Sequence, residues 1–199
     1  MKPLPQERLQ RIARARNVHY EPLPNDNPLI VATRMSREFP LARDTAFALF
    51  ADPATHVRLF SIIKGSSTIP REPIAKMVPI NQFYAVEHVE ERDPTPRFML
   101  VRYTLSPPDV ILKEGVPDPF GDLDGLGDVG PLDKKKAKVM IRLEDAGENT
   151  FLLTTESAFV AETGEIFVRG LIDHVWLNFY ENLMVELKEI RPDQIMTRP

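Results

Sequence analysis

The sequence contains no cysteine. Disulfides, thiolate nucleophiles, zinc–thiolate sites and iron–sulfur clusters are therefore excluded. No apolar run approaches the roughly 20 residues that a membrane-spanning helix needs. There is no basic excess either: 25 Lys and Arg against 29 Asp and Glu give a net charge of −4 at pH 7. We therefore expect no general affinity for nucleic acid, which requires a basic face, and no stable membrane insertion.

Motifs that carry chemistry are also missing. The sequence has no GxSxG, P-loop, GxGxxG or paired-carboxylate motif. Its four histidines (His19, His56, His88 and His174) do not follow a metal-ligand spacing. The fragment DLDGLGDVG has an Asp-x-Asp-Gly step like that of a calcium loop, but Phe120 stands where the first ligand should be. We therefore predict no metal and no cofactor.

The most informative stretch is VRGLIDHVWLNFYENLMVELKEI, residues 168–190. Its apolar residues recur every three or four positions and predict one amphipathic helix about 34 Å long, which is enough to cross a domain. On the opposite side the pattern predicts a solvated face that contains His174, Asn178, Glu181 and Lys188. The apolar positions are Val168, Leu171, Ile172, Val175, Trp176, Phe179, Leu183 and Leu187.

Upstream of this helix the chain reads mainly as β-structure. Alternating patterns predict strands over 29–39, 79–91, 97–105, 137–145 and 150–161, with short strands at 64–69 and 110–112. Two short helices follow the first strand: one over 42–51, and one that begins at Pro53 after Asp52. Short turns, such as residues 145–149, favour antiparallel hairpins. The pattern predicts an α+β fold in which an antiparallel sheet is closed by the terminal helix.

Four segments describe the domain organisation that we expect. Residues 1–28 form an N-terminal extension and linker, in which 6–17 could make a short helix and 21–28 break the periodicity. Residues 29–191 form the domain, and residues 192–199 are a tail. A long loop at 106–136, rich in Gly, Pro and Asp, interrupts the domain. Because the N-terminus carries charge where a signal peptide would be apolar, we expect a cytoplasmic protein.

The segment RMSREFPLARDTAFALFADPATHVRLF resembles the start of the START-like superfamily, which includes polyketide cyclases and lipid transfer domains. The matching elements are Phe39-Pro40-Leu41-Ala42, the helix from Thr45 to Phe50, and Ala51-Asp52-Pro53. The resemblance covers about residues 29–190. It implies a helix-grip fold, in which a curved antiparallel sheet wraps around the terminal helix and encloses an apolar cavity. Members of this superfamily include carriers, sensors and cyclases, so the fold does not decide among these functions.

Three functions follow as hypotheses. The first is binding of a hydrophobic small molecule, such as a lipid, sterol, polyketide or isoprenoid, in a cavity of several hundred cubic ångströms. The second is a cyclase or dehydratase in which Tyr103, Arg102 or His88 acts on a bound polyketide. The third is an interaction protein with a filled core, whose N-terminal arm and long loop bind a partner. The same arm could instead join two copies of the chain in a homodimer.

The inward faces of the predicted elements nominate the ligand-binding residues. Tyr103, Thr155 and Ser157 are the polar side chains that could orient a ligand there. If the same side chains fill the core instead, no ligand site exists. The nominated residues are Met99, Val101, Tyr103, Phe151, Leu153, Thr155, Ser157, Ile172, Val175 and Phe179.

Overall fold

The computed structural model describes residues 4–27, 29–69, 78–89, 97–116, 137–160 and 165–189. The loop aspartates discussed above and the tail from residue 192 lie outside these ranges. Within them the elements are α1 (Gln6–Ala15), β1 (His19–Leu23), β2 (Ile30–Phe39), α2 (Arg43–Ala51), α3 (Pro53–Leu59), β3 (Ile63–Thr68), β4 (Gln82–Val89), β5 (Arg97–Ser106), β6 (Val110–Gly115), β7 (Ala137–Gly147), β8 (Thr150–Val160) and α4 (Glu165–Glu189).

The eight strands form one antiparallel sheet in the order β1-β2-β8-β7-β6-β5-β4-β3. Strand β2 therefore pairs with β8, near the other end of the chain, while β3 to β8 follow one another along the sheet. The β7–β8 hairpin has Asn149 at φ 53° and Gly147 at φ 141°, conformations that favour these two residue types in tight turns. The predicted hairpin and the α+β helix-grip class are confirmed.

The inner face of the sheet packs against α2, α3 and α4, and a single hydrophobic core joins them. Aromatic rings fill one end of this core: Phe39 stacks on Phe151 at 5.6 Å, and Phe50 lies 6.0 Å from Phe179 of α4. The two short helices are placed by local chemistry, because Asp52 accepts a hydrogen bond from the Ala54 backbone N–H and Pro53 occupies the first position of α3.

The N-terminal residues belong to this core rather than standing apart from it. Leu9 and Ala13 of α1 are buried against α4, and β1 extends the sheet by pairing with β2. The sequence prediction of an extension and linker missed β1 because the strand contains Pro22. Proline is tolerated there, since β1 is an edge strand that pairs on one side only.

Helix α4 carries the predicted apolar face, with Val175, Trp176 and Phe179 buried. Its opposite face is only partly solvated, because α1 packs on it. Arg16 bonds the Asn178 side chain and pairs with Glu181, and His174 is partly buried. A separate short helix that docks on the domain therefore covers a face that the periodicity assigned to solvent.

Candidate ligand-binding site

The structure brings the ten predicted ligand-binding residues together on the inner side of the sheet. Eight of them are buried, and Met99 and Ile172 are half-buried against the same core. The alternation predicted for β5 and β8 is therefore in the right frame. Whether these side chains surround a ligand or only one another stays a prediction.

Two of the three predicted polar side chains already have protein partners. The Tyr103 hydroxyl donates to Glu87 Oε1 at 2.6 Å. The Tyr180 hydroxyl donates to the Met35 carbonyl at 2.8 Å and lies 3.1 Å from Thr155 Oγ1. Because a phenol has one proton to donate, the Thr155 hydroxyl is the donor to Tyr180. Tyr103 is thus part of a larger polar group, whereas Thr155 ties β8 to α4.

That larger group, which we call the Lys113 cluster, consists of His56, Glu87, Tyr103 and Lys113. Strands β4, β5 and β6 supply Glu87, Tyr103 and Lys113 from the inner face, and α3 supplies His56. Tyr103 lies directly opposite Lys113 in the sheet, whereas Glu87 lies opposite Met99. Lys113 Nζ lies 2.9 Å from Glu87 Oε1 and 3.3 Å from His56 Nδ1. None of the four residues is more than 8% exposed. An ion pair, a phenol and an imidazole therefore meet inside the core.

The protonation states in the Lys113 cluster follow from its contacts. Burial alone would raise the pKa of Glu87, but the charge of Lys113 and the bonds from Tyr103 and Lys113 together lower it, so Glu87 is a carboxylate. Burial and the neighbouring Lys113 ammonium lower the pKa of His56 to about 3. Burial and the Glu87 charge raise the pKa of Tyr103, which stays a phenol.

The hydrogen bonds of His56 define its neutral tautomer. Its Nε2 lies 2.9 Å from the Phe50 carbonyl, which can only accept, so Nε2 carries the proton. Nδ1 then presents a lone pair to the Lys113 ammonium. The imidazole therefore bridges Lys113 and the backbone of the last turn of α2.

Aromatic rings enclose the Lys113 cluster. Phe60 stacks on His56 at 5.8 Å, and its ring centroid lies 5.6 Å from Lys113 Nζ. Phe83 stacks on Tyr103 at 4.6 Å. Phe60 also contacts Phe179 of α4, with ring centroids 4.6 Å apart. These rings surround the ion pair with a low-dielectric environment, in which its electrostatic attraction is stronger than in water.

Three members of the Lys113 cluster were not nominated from the sequence, although their patterns carried a signal. Glu87 lies at two-residue spacing from Ala85 and Phe83, and therefore on the same face of β4. Lys113 lies on the same face of β6 as Ile111. The short strand predicted at 110–112 covers only the start of β6 and ends before Lys113, because the residues after it were assigned to the loop at 106–136. His56 shares a helical face with Leu59 and Phe60, a spacing of three and four residues that indicates burial.

The proposed catalytic alternatives are divided between the two faces of the sheet. Tyr103 faces inward. Arg102, the residue before it, points to the opposite face of the sheet and pairs with Glu114 at 2.7 Å. His88 stacks on Phe98 at 5.1 Å, on the side of the sheet that holds the smaller apolar cluster around Leu100. Arg102 and His88 therefore cannot act together with Tyr103 on one inner-face ligand, because successive strand residues point to opposite faces.

A second buried polar group, the Asp173 cluster, lies where α4 meets β1 and β2. Asp173 Oδ2 accepts from the Tyr20 hydroxyl at 2.7 Å and from Thr33 Oγ1 at 3.2 Å, and it lies 3.9 Å from the Arg169 guanidinium. Among the described residues, Asp173 Oδ1 is buried and has no hydrogen-bond partner. Burial raises the pKa of Asp173 despite these contacts.

A surface cleft of about 280 Å³ lies at the β7–β8 turn and the start of α2. None of the ten predicted ligand-binding residues lines it. Arg43 in this cleft pairs with Asp109 and Asp145 at 3.1 and 3.2 Å. Its lining is Ala42, Arg43, Asp44, Asp145, Gly147, Asn149 and Thr150.

Across the described ranges, no three His, Asp or Glu side chains are arranged to hold a metal ion. No helix in the same part of the chain is long and apolar enough to cross a membrane.

Comparison with known proteins identifies the fold. No family model and no curated protein matches the sequence. Among solved structures, a STAR-related lipid transfer protein from Xanthomonas axonopodis is similar with a TM-score of 0.63 at 13% identity, covering 86% of this chain and 93% of that one. The ZhuI aromatase/cyclase from Streptomyces sp. R1128 has a TM-score of 0.61 at 10% identity, covering 82% and 98%. A START superfamily protein from Mycobacterium smegmatis has a TM-score of 0.60 at 11% identity, covering 80% and 99%.

Proposed function

Starting from the START-like fold that these similarities establish, we propose that the protein binds a hydrophobic small molecule between the inner face of the sheet and α4. The Lys113 cluster holds the polar group of that molecule. The proposal assigns the apolar contacts to the residues nominated from β5, β8 and α4. The ligand classes that we propose are lipids, sterols, polyketides and isoprenoids, which can offer apolar surface to the core residues and an oxygen atom to Lys113.

The observation that carries the proposal is the buried ion pair on the inner face. Glu87 is 1% exposed and Lys113 is 8% exposed. Removing two charges from water costs several kcal/mol per ion, and well-packed apolar residues of similar volume are often as stable or more so. Stability alone therefore does not explain a lysine and a glutamate at these positions. A role in holding a ligand does.

The chemistry of the Lys113 cluster indicates which polar group fits. Lys113 has three donor hydrogens, and two of them are directed at Glu87 Oε1 and His56 Nδ1. A ligand carbonyl, hydroxyl or carboxylate oxygen can accept the third. The Tyr103 phenol is already committed to Glu87, so it positions the carboxylate and leaves the ammonium as the ligand donor.

Native mass spectrometry of the protein purified from its own source tests this proposal, followed by organic extraction to identify any bound molecule. We expect one apolar molecule per chain. The variant E87Q/K113M removes both charges together and should lose the ligand at least about tenfold, the effect of about 1.4 kcal/mol of binding energy. D173N is the matched control, because it removes a buried carboxylate outside the Lys113 cluster and should keep the ligand. Ligand-free wild-type protein would contradict the proposal, and equal occupancy in E87Q/K113M would contradict the role of the cluster.

A second candidate, a cyclase or dehydratase, is favoured by the same ionisable side chains. An enzyme of this kind needs a base and a donor on the inner face, and the Glu87 carboxylate and Lys113 ammonium supply them. Incubation with a linear poly-β-keto thioester, followed by mass spectrometry, would detect loss of water on cyclisation. Product formation by wild type but not by E87Q/K113M would support turnover, and unchanged substrate would leave binding without turnover.

We also propose that the protein acts in the cytoplasm and carries no nucleic acid. Cell fractionation and the ratio of absorbance at 260 and 280 nm of the purified protein test these two points. A homodimer stays a prediction, and light scattering at several protein concentrations would decide it.

A further inference from the structure

Helix α1 presents a row of arginines to solvent. Arg8, Arg11 and Arg14 are exposed and spaced one turn apart, while Leu9 and Ala13 on the other side are buried against α4. The row is about 9 Å long at 1.5 Å per residue. No ion pair is found for these three side chains among the described residues. The single acidic residue of α1, Glu7, is also exposed.

Two contacts fix this row relative to the domain. The Leu4 backbone N–H donates to the Gly170 carbonyl at 3.0 Å, and Arg16 bonds Asn178 of α4 at 3.0 Å. Helix α1 therefore runs alongside α4 in the same direction. The positive charge acts on its surroundings, since Arg16 and Arg8 both help to lower the pKa of His174, after burial as the main cause.

An exposed apolar side chain lies beside the start of the arginine row. Ile166 is 83% exposed and lies four residues before Gly170, hence one turn away on the same face of α4. Because Leu4 contacts Gly170, Ile166 lies near the N-terminal end of α1. A large apolar residue next to a basic helix face is the combination found in proteins that contact lipid surfaces.

We propose that the α1 arginine row and Ile166 form a docking surface for an anionic phospholipid bilayer. Arginines near such a surface are attracted to its negative potential, and Ile166 contacts the interface between headgroups and acyl chains. Leu9 and Ala13 stay buried in the protein, so the contact is peripheral. This surface does not depend on the ligand proposed above, and either proposal can fail alone.

A membrane fits this surface better than a nucleic acid does. A row of three arginines can neutralise about three phosphates, and affinity for nucleic acid rises with the number neutralised. The whole chain, with the arginine row included, has a net charge of −4, so the rest of the chain is acidic and would repel an extended polyanion that runs past the row. A flat anionic surface can instead meet the three arginines and Ile166 at once.

Co-sedimentation of the full chain with vesicles tests the proposal. We expect binding to 70:30 phosphatidylcholine–phosphatidylserine vesicles that weakens as salt rises, with little binding to pure phosphatidylcholine. At about fivefold per arginine, R8Q/R11Q/R14Q should bind about 100-fold more weakly. The matched control K64Q/K138Q/R142Q removes three exposed basic residues from the sheet and should bind as wild type does. I166S should lower the affinity of wild type and leave its salt dependence unchanged.

Several results would overturn the proposal. One is wild-type protein that stays in the supernatant with anionic vesicles at 50 mM salt. Another is equal loss of binding in the triple variant and its control, which would indicate a net-charge effect. A third is a 20-nucleotide single-stranded DNA that binds more tightly than the vesicles and competes with them, which would assign the row to nucleic acid.

Discussion

Glu87 and Asp173 are each only 1% exposed to solvent, yet the surroundings of their carboxylates differ. Glu87 has the Lys113 ammonium at 2.9 Å, whereas the Arg169 guanidinium lies 3.9 Å from Asp173. The pKa of Glu87 is lowered, because its partners outweigh burial, and the pKa of Asp173 is raised, because burial outweighs its partners. At equal burial, the distance and charge of the partner decide whether a carboxylate is stabilised in its charged form.

This difference separates two roles. No buried side-chain nitrogen or oxygen of the Lys113 cluster lacks a partner within the described part of the chain, whereas Asp173 Oδ1 does. An ion pair whose two charges balance on the inner face can hold a ligand oxygen through the remaining Lys113 hydrogen without changing its own charge. A carboxylate with one orphaned oxygen, placed under β1, instead makes the attachment of the N-terminal strand sensitive to pH.

Breaking the ion pair should have the largest effect. K113M leaves the Glu87 carboxylate buried without its cation and should lower the free energy of unfolding by about 3–5 kcal/mol. The double variant E87Q/K113M removes the charge that is stranded and should recover most of this loss. Urea unfolding at pH 7 of wild type, both single variants and the double variant gives the coupling energy between the two positions. Additive losses in the double variant would show that the two side chains are not coupled.

Removing the strongest bond of the Asp173 cluster should have a smaller and more local effect. Y20F deletes the 2.7 Å hydrogen bond to Asp173 Oδ2. A hydrogen bond to a charged group contributes about 1.5–3 kcal/mol, so unfolding should become easier by about that amount. Hydrogen exchange should also become faster in β1. Unchanged exchange in residues 19–23 would show that backbone pairing with β2 alone holds the strand.

The contrast between the clusters also explains how far the sequence could be interpreted. The strand and helix periodicities predicted β2, β4, β5, β7, β8 and α4, because each pattern is set within its own segment. The faces of β5 and β8 followed from the same alternation. The Lys113 cluster did not follow, since its members come from four elements and their meeting depends on the sheet order. Strand β1 was missed because its proline-containing segment has no clear strand pattern of its own. Only its pairing with β2, a tertiary contact, makes it a strand.

Neutralising Asp173 should reverse the usual sign of a mutation at a buried position. A carboxyl whose folded pKa is raised stabilises the protein below its unfolded pKa and loses that contribution as pH rises through the folded value. D173N should therefore raise the free energy of unfolding at pH 7, by about 1 kcal/mol, because it removes a buried negative charge and keeps one oxygen to accept from Tyr20 and Thr33. The gain should vanish near pH 4. E87Q is the opposite case, because the stability that Glu87 contributes is lost as pH falls. A loss of stability in D173N at pH 7 would show that Asp173 is adequately paired by Arg169.

The smallest spectroscopic change is expected for the His56 ring, which should not titrate in the neutral pH range. Burial and Lys113 lower its pKa to about 3, so its ring should stay neutral from pH 8 down to about pH 5. The ¹⁵N shifts of the ring should report the Nε2–H tautomer throughout, because Nε2 donates to the Phe50 carbonyl and Nδ1 accepts from Lys113. Since the unfolded chain binds a proton below pH 6.5 and the folded one does not, stability should fall as pH drops from about 6.5, by up to about 1.4 kcal/mol per pH unit. A midpoint near 6.5 in the His56 shifts would instead place a water-accessible imidazole beside Lys113, and the Lys113 cluster would then resemble the Asp173 cluster in responding to pH.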